Sequence, residues 1–165
     1  MIVGLVVFVA VGVSAALMAY DAFFRPGPLL VVTLEGGEDG TPGEEIVRIP
    51  LRDDPTWEVR WRHSVAGIVV RDIFAWRDGQ MLLTDTLTPQ LDVAGLGHTP
   101  GRGELFDDGD GGYWIAGIDE PIRGNAYWIR IGSERAPTAL VHGDRTYELS
   151  VAHASVRARI EVVTR

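Results

Sequence analysis

From Leu29 to the C-terminus, apolar and polar residues alternate in short segments separated by Gly, Pro and Asp. In the segment 57–63, two tryptophans, a valine and His63 occupy every second position, and charged residues lie between them. The segment 156–163 alternates in the same way. A period of two turns one set of side chains toward a core and the other toward solvent, so both segments are predicted to be β-strands.

Ten segments have the length and composition of strands. Asp78-Gly79 lies between two apolar segments and predicts a tight hairpin. Many short strands at this spacing predict an all-β fold, either an antiparallel sandwich or a small barrel. The predicted strands are Leu30–Leu34, Glu45–Leu51, Thr56–His63, Ile68–Trp76, Met81–Thr86, Tyr113–Ala116, Ala126–Ile131, Thr138–His142, Thr146–Ser150 and Val156–Val163.

The N-terminal segment has a different pattern, because its first 20 residues contain no Asp, Glu, Lys or Arg and are mostly apolar. As a helix they would span roughly 30 Å, the thickness of a bilayer core. We expect Tyr20, Phe23 and Phe24, which follow, to form an interfacial aromatic belt. We therefore expect one N-terminal transmembrane helix in residues 1–24, with membrane lipid as its partner, and a single β-rich domain in residues 25–165.

A cleaved signal peptide is the alternative for this segment. It requires a basic n-region, and no basic residue precedes the apolar segment, while Ala15, Ala16 and Ala19 give only a loose cleavage site. The uncleaved anchor is the preferred interpretation. Asp21 and Arg25 flank one end, so the positive-inside rule gives almost no preference for either orientation.

The amino-acid composition limits which partners and cofactors the protein can bind. The chain has 15 basic residues, all of them Arg, against 23 acidic residues, for a net charge of −8. This balance disfavours phosphate backbones, so we expect no nucleic-acid partner. The absence of Cys excludes disulfides and Cys-ligated metals, and the four His residues show no metal-binding spacing. We expect no cofactor.

Adjacent His63 and Ser64 suggest a nucleophile and its base, which would make the protein a hydrolase. Neighbouring side chains on a strand point to opposite faces, and the chain has no G-x-S-x-G motif, so this interpretation is disfavoured. A core His whose ring nitrogens bond to the backbone is favoured. A ligand-contacting His at the end of a strand is the remaining interpretation, and we expect no catalytic residues.

The segment from Pro89 to Gly112 is rich in Gly and Asp and is predicted to be a long loop, the best place for a binding surface. Its aspartates could bind a hard cation such as Ca²⁺, although the pattern fails to match an EF-hand and a solvated acidic loop is favoured. Its glycines resemble a phosphate loop but lack the Lys and helix that such a loop needs. The candidate metal ligands are Asp107, Asp108 and Asp110.

The segment Trp61-Arg62-His63-Ser64-Val65 resembles a family of uncharacterised bacterial and archaeal proteins encoded beside TAXI-type TRAP (tripartite ATP-independent periplasmic) transporters. In that family an aromatic residue and His-Ser-Val precede a Val, an acidic residue and an aromatic residue. Val70, Asp72 and Phe74 occupy those places here, with Asp where Glu is usual. The stretches Ala94-Gly95-Leu96-Gly97 and Leu140-Val141-His142-Gly143 extend the resemblance, which covers Trp57 to Val163.

The resemblance implies a small domain outside the cytoplasm, on a single-pass anchor in the cytoplasmic membrane. The family has no assigned activity, so the resemblance implies this context and not a mechanism. Together with the expected anchor and the missing catalytic motifs, it predicts a non-enzymatic accessory domain that contacts a TRAP permease or its substrate-binding protein, in a transporter for small organic solutes. An extracytoplasmic ligand- or cation-binding sensor domain is the alternative, and a hydrolase is a third. The candidate binding residues are His63, Ser64, Asp72, Gly95, Gly97, His98 and Arg102.

Overall fold

The computed structural model of the protein describes residues 27–37, 41–91, 101–109 and 111–164. Within these ranges, twelve strands and one short helix, α1, form the fold. The strands are β1 Leu29–Leu34, β2 Glu45–Pro50, β3 Thr56–Arg62, β4 Val69–Arg77, β5 Gln80–Thr88, β6 Glu104–Asp107, β7 Tyr113–Ala116, β8 Glu120–Pro121, β9 Ala126–Arg130, β10 Thr138–His142, β11 Arg145–Glu148 and β12 Arg157–Val163. Helix α1 covers Leu149–His153, before β12, and a 3₁₀ turn covers Arg123–Asn125, before β9.

The strands form two antiparallel sheets with an apolar core between them. The smaller sheet has the order β2-β1-β12-β9, and the larger has the order β11-β10-β3-β4-β5-β7-β6, with β8 also paired to β5. The prediction of an all-β fold is confirmed, and of the two predicted architectures the structure is the sandwich.

Alternate residues of both sheets fill this core. Each large aliphatic side chain that is fully buried stabilises the fold by about 1.5–3 kcal/mol. The buried cluster contains Leu30, Val32, Val47, Ile49, Ala158, Ile160 and Val162 from the smaller sheet, and Trp57, Val59, Phe74, Met81 and Leu140 from the larger sheet. The predicted alternation in the segments 57–63 and 156–163 therefore matches the buried faces of β3 and β12.

A β-bulge interrupts the pairing of β4 with β5. Ile73 lies opposite Asp85, but Phe74 lies opposite Leu83, so Thr84 is an extra residue in β5. The Thr84 hydroxyl donates a hydrogen bond to the Ile73 carbonyl oxygen at 3.1 Å. Because the bulge shifts the alternation by one residue, Thr84, Thr86 and Thr88 are buried on the face that Met81 begins. This shift places a hydroxyl row inside the sandwich.

The predicted elements agree with the structure except in three places. All ten predicted strands are present, and Asp78 and Gly79 have φ of 52° and 79° in the predicted β4–β5 hairpin. The prediction that the strand at Thr146 continues to Ser150 is wrong, because β11 ends at Glu148 and α1 follows directly. The predicted loop from Pro89 to Gly112 contains β6, and β8 was also not predicted.

The predicted anchor in residues 1–24 lies outside the described residues and stays a prediction. In the ranges that the structure describes, no helix is long and apolar enough to cross a membrane.

A buried hydroxyl joins the two sheets where the chain passes from β9 to β10. Ser150 Oγ donates to the Gly132 carbonyl oxygen at 2.7 Å and accepts the Thr138 N–H at 2.8 Å. Thr138 Oγ1 in turn accepts the Gly132 N–H at 2.9 Å. These three bonds satisfy backbone groups inside the sandwich and hold the end of β9 beside the start of β10.

We predict that Gly132→Ala destabilises the fold. A Cβ at position 132 would lie 1.9 Å from the Ala136 carbonyl oxygen, so the turn between β9 and β10 would have to shift. We expect the free energy of unfolding to fall by about 1–3 kcal/mol in chemical denaturation. Gly27→Ala is the matched control, because its Cβ would meet Arg52 at an ordinary 3.4 Å. Equal stability of the two variants would contradict the prediction.

Candidate functional site

An ordered turn at residues 63–68 connects β3 to β4. The His63 N–H donates to the Ile68 carbonyl oxygen at 2.8 Å, and the Gly67 N–H donates to the His63 carbonyl oxygen at 2.9 Å. The His63 ring closes the turn, because its Nδ1 accepts the N–H groups of Val65 at 3.3 Å and Ala66 at 3.0 Å. Nδ1 therefore acts as a hydrogen-bond acceptor in this turn.

This geometry bears on the interpretations of His63. The ring is half-buried beside Trp61, with centroids 6.3 Å apart, and lies at the end of β3. The ring bonds to the backbone, as the favoured interpretation predicted, but it is only half-buried and so does not lie in the core. Contact of His63 with a ligand stays a prediction. Nδ1 is already occupied by the turn, and within the described ranges no hydrogen bond joins Ser64 to a His or a carboxylate.

A largely buried carboxylate lies behind Trp61. Asp72 shares the inner face of β4 with Val70 and Phe74, and its two oxygens accept hydrogen bonds from Trp61 Nε1 and Thr86 Oγ1, each at 2.9 Å. Burial raises the pKa of Asp72 above its ordinary value, and these two hydrogen bonds and the positive charge of Arg102 only partly offset that effect. The Asp72 carboxylate thus holds both the Trp61 ring and the Thr86 hydroxyl in place.

Tyr127 packs over this region from β9. Its ring stacks on Phe74, with centroids 5.1 Å apart, and Phe74 stacks on Trp57 at 5.8 Å. The Tyr127 hydroxyl is buried and has no hydrogen-bond partner among the described residues. Burial raises the pKa of Tyr127, and the nearby Asp72 charge raises it further.

Trp61 connects the buried carboxylate to a surface groove. The groove has a volume of about 530 Å³ and lies between the end of β3, the turn after it and the end of β9. Its apolar surface comes from the inner faces of both sheets and from the β9–β10 turn. The lining residues are Val59, Trp61, Arg62, His63, Ser64, Ile129, Arg130, Ile131, Gly132, Ser133, Ala136, Thr138 and Ser155.

The structure brings only some of the predicted binding residues together. His63 and Ser64 line the groove, while Asp72 lies behind it and reaches it through Trp61. Arg102 pairs with Glu120 at 2.8 Å and acts on Asp72 through its charge. Gly95, Gly97 and His98 fall outside the described residues.

The predicted cation ligands are bonded within their own loop. Asp107 accepts the Gly109 N–H and Asp108 accepts the Gly112 N–H, both at 2.8 Å, and Asp110 lies outside the described residues. Across the described ranges, no three His or acidic side chains are grouped for a metal ion.

Sequence reasoning missed Arg62, Arg130 and Thr138 as groove residues. They come from three strands in two sheets, and only the fold brings them together. The sequence contained a signal only for Arg62, because Arg62 directly precedes the candidate residue His63.

The comparisons with known proteins concern the same part of the fold. Residues 57–149, which run from β3 to the start of α1, match the domain family described as "Domain of unknown function (DUF1850)". The chain belongs to the DUF1850 family. Comparison with curated proteins and with solved structures gives no significant match.

The DUF1850 region contains one wall of the groove and part of the other. Trp61, His63, Asp72 and Ile129 all lie within the matched residues, while Ser155 lies beyond them. The predicted resemblance to a family without an assigned activity is confirmed for residues 57–149, and its link to TRAP transporters stays a prediction.

We predict that Asp72 lowers stability as pH rises. A carboxyl whose pKa is raised by folding favours the folded state below its usual pKa of about 4, and that advantage is lost as pH rises through the folded pKa. Relative to Asp72→Asn, the wild-type free energy of unfolding should fall by up to about 1.4 kcal/mol per pH unit in that window. Denaturation at a series of pH values measures the difference.

Asp144→Asn is the control for this comparison, because Asp144 is an exposed carboxyl on the turn between β10 and β11. This variant removes one exposed carboxylate, so the contrast between the two variants isolates the effect of burial from the loss of a charge. A pH dependence for Asp72→Asn no larger than that for Asp144→Asn would show that burial fails to perturb Asp72.

Proposed function

We propose that this DUF1850 protein is a non-enzymatic accessory domain of a TRAP-type transporter for small organic solutes. In this proposal, residues 1–24 anchor it in the cytoplasmic membrane with the β-domain outside. The family resemblance supplies the transporter context, and the geometry of the His63 turn supports recognition rather than catalysis. The proposed partner is the permease or the substrate-binding protein.

The observation that carries the proposal is the exposure of Val65. Its side chain is 90% exposed, although the turn that presents it is fixed by the His63 ring. A single exposed valine is common on protein surfaces, but Val65 lies on a turn that the His63 ring holds in one conformation, so a partner can bind it without first ordering the turn. Because Val65 belongs to the segment that carries the family resemblance, this turn is the proposed docking point.

Cross-linking from the full-length protein in native membranes tests this docking. A photoreactive amino acid at position 65 should cross-link to a TRAP permease or substrate-binding protein. The same amino acid at position 151 is the matched control, since Val151 is also an exposed valine, at 77%, but lies on α1. Absence of any transporter subunit from the position 65 product, or equal products at both positions, would contradict the proposal.

We also predict that Val65→Asp reduces recovery of the transporter subunit about tenfold in co-purification, because a charge at the contact must be desolvated. Val151→Asp should leave recovery unchanged. Equal recovery for both variants would remove the turn from the interface.

The groove favours a second candidate function, an extracytoplasmic ligand-binding sensor domain. Its volume of about 530 Å³ lies within the range of small-molecule sites. Binding of a small molecule to the domain, with a signal passed to a partner, is the form that this function would take.

A further inference from the structure

The groove differs in charge from the rest of the chain. Its lining includes the arginines Arg62 and Arg130 and, among the residues that the structure describes, contains no Asp or Glu, whereas the whole protein carries a net charge of −8. Glu134 lies in the turn that forms one wall, but it is absent from the lining. A cationic groove on an acidic protein favours an anion and disfavours a cation.

Both guanidinium groups have donors left for a ligand. Arg62 Nη1 donates to the Gly67 carbonyl oxygen at 3.1 Å, and Arg130 Nη1 donates to the Ser155 carbonyl oxygen at 2.8 Å. Neither arginine forms an ion pair with a carboxylate of the described chain. Because a guanidinium has five N–H groups, these bonds orient the two side chains and leave most donors unused.

The rest of the groove lining is mostly apolar, so the anion should carry a hydrocarbon part. Val59, Ile129, Ile131, Ala136 and the Trp61 ring supply apolar surface from both sheets. Contact with this surface favours a ligand with a hydrocarbon part, because it removes apolar area from water. An inorganic anion would leave that surface exposed.

We propose that this groove binds a small amphipathic carboxylate, with its carboxylate at Arg62 and Arg130 and its hydrocarbon part against Trp61 and Ile129. A carboxylate matches the planar fork of guanidinium and carries a single charge that these arginines compensate. The proposal deepens the ligand-binding candidate. It is independent of docking through Val65, whose side chain lies outside the groove lining.

Calorimetry with three probes on the full-length protein tests the proposal. Octanoate should bind with a Kd of about 0.1–1 mM. Octanamide has the same chain without the charge, and acetate has the charge without the chain, so each should bind about tenfold more weakly or show no heat. Equal binding of octanoate and octanamide would show that the groove takes apolar chains regardless of charge, which overturns the proposal.

Two double variants separate the site from the overall charge. Arg62→Gln with Arg130→Gln should weaken octanoate about tenfold, while Arg135→Gln with Arg145→Gln should leave it unchanged. Arg135 and Arg145 are exposed arginines outside the lining, so both variants lose the same charge. Equal weakening in both variants, or no octanoate binding by the wild type, would overturn the proposal. Loss of Val65 cross-linking alone would leave it standing.

Discussion

The buried carboxylate of Asp72 constrains the centre of the larger sheet. Its oxygens accept hydrogen bonds from Trp61 on β3 and Thr86 on β5, so one side chain of β4 bonds to both neighbouring strands. A carboxylate removed from water costs free energy unless such donors surround it. The bulge at Thr84 is what turns the Thr86 hydroxyl inward, and without it this donor would face the opposite side of the sheet.

The same carboxylate explains how the core and the surface groove are coupled. Trp61 is anchored by its indole N–H at Asp72, and its ring forms part of the groove. The opposite wall depends on the Ser150 hydroxyl, which holds the turn after β9 against the start of β10. Buried polar contacts in the two halves of the sandwich thus fix an apolar groove with arginines at its rim.

The alternation of apolar and polar residues was enough to predict the strands, because each has one face on the core. It failed for β6, because its two apolar residues, Leu105 and Phe106, are adjacent and all four of its residues are exposed. This strand forms through pairing with β7, where Leu105 lies opposite Ile115. It failed again at α1, where the Ser150 hydroxyl bonds to backbone groups of Gly132 and Thr138, which are distant in the sequence. Local pattern carries no information about such long-range partners.

Only those residues of the candidate site that lie close together in the sequence could be predicted. His63, Ser64 and Asp72 belong to a single hairpin, so the family resemblance identified them. Arg130 and Thr138 could not be found in this way, because they reach the groove from β9 and β10. Their position depends on the order of strands in two sheets, which alternation leaves undetermined.

The indole N–H of Trp61 gives the most direct test of the central claim, that Asp72 fixes Trp61 as a groove wall. Its resonance, assigned by its loss in Trp61→Phe, can be followed by ¹H–¹⁵N NMR for exchange with solvent and for its shift with pH. We predict slow exchange and a shift that follows the titration of Asp72, in contrast to Trp128, whose side chain is 50% exposed. Exchange as fast as that of Trp128, with no pH-dependent shift, would contradict the account.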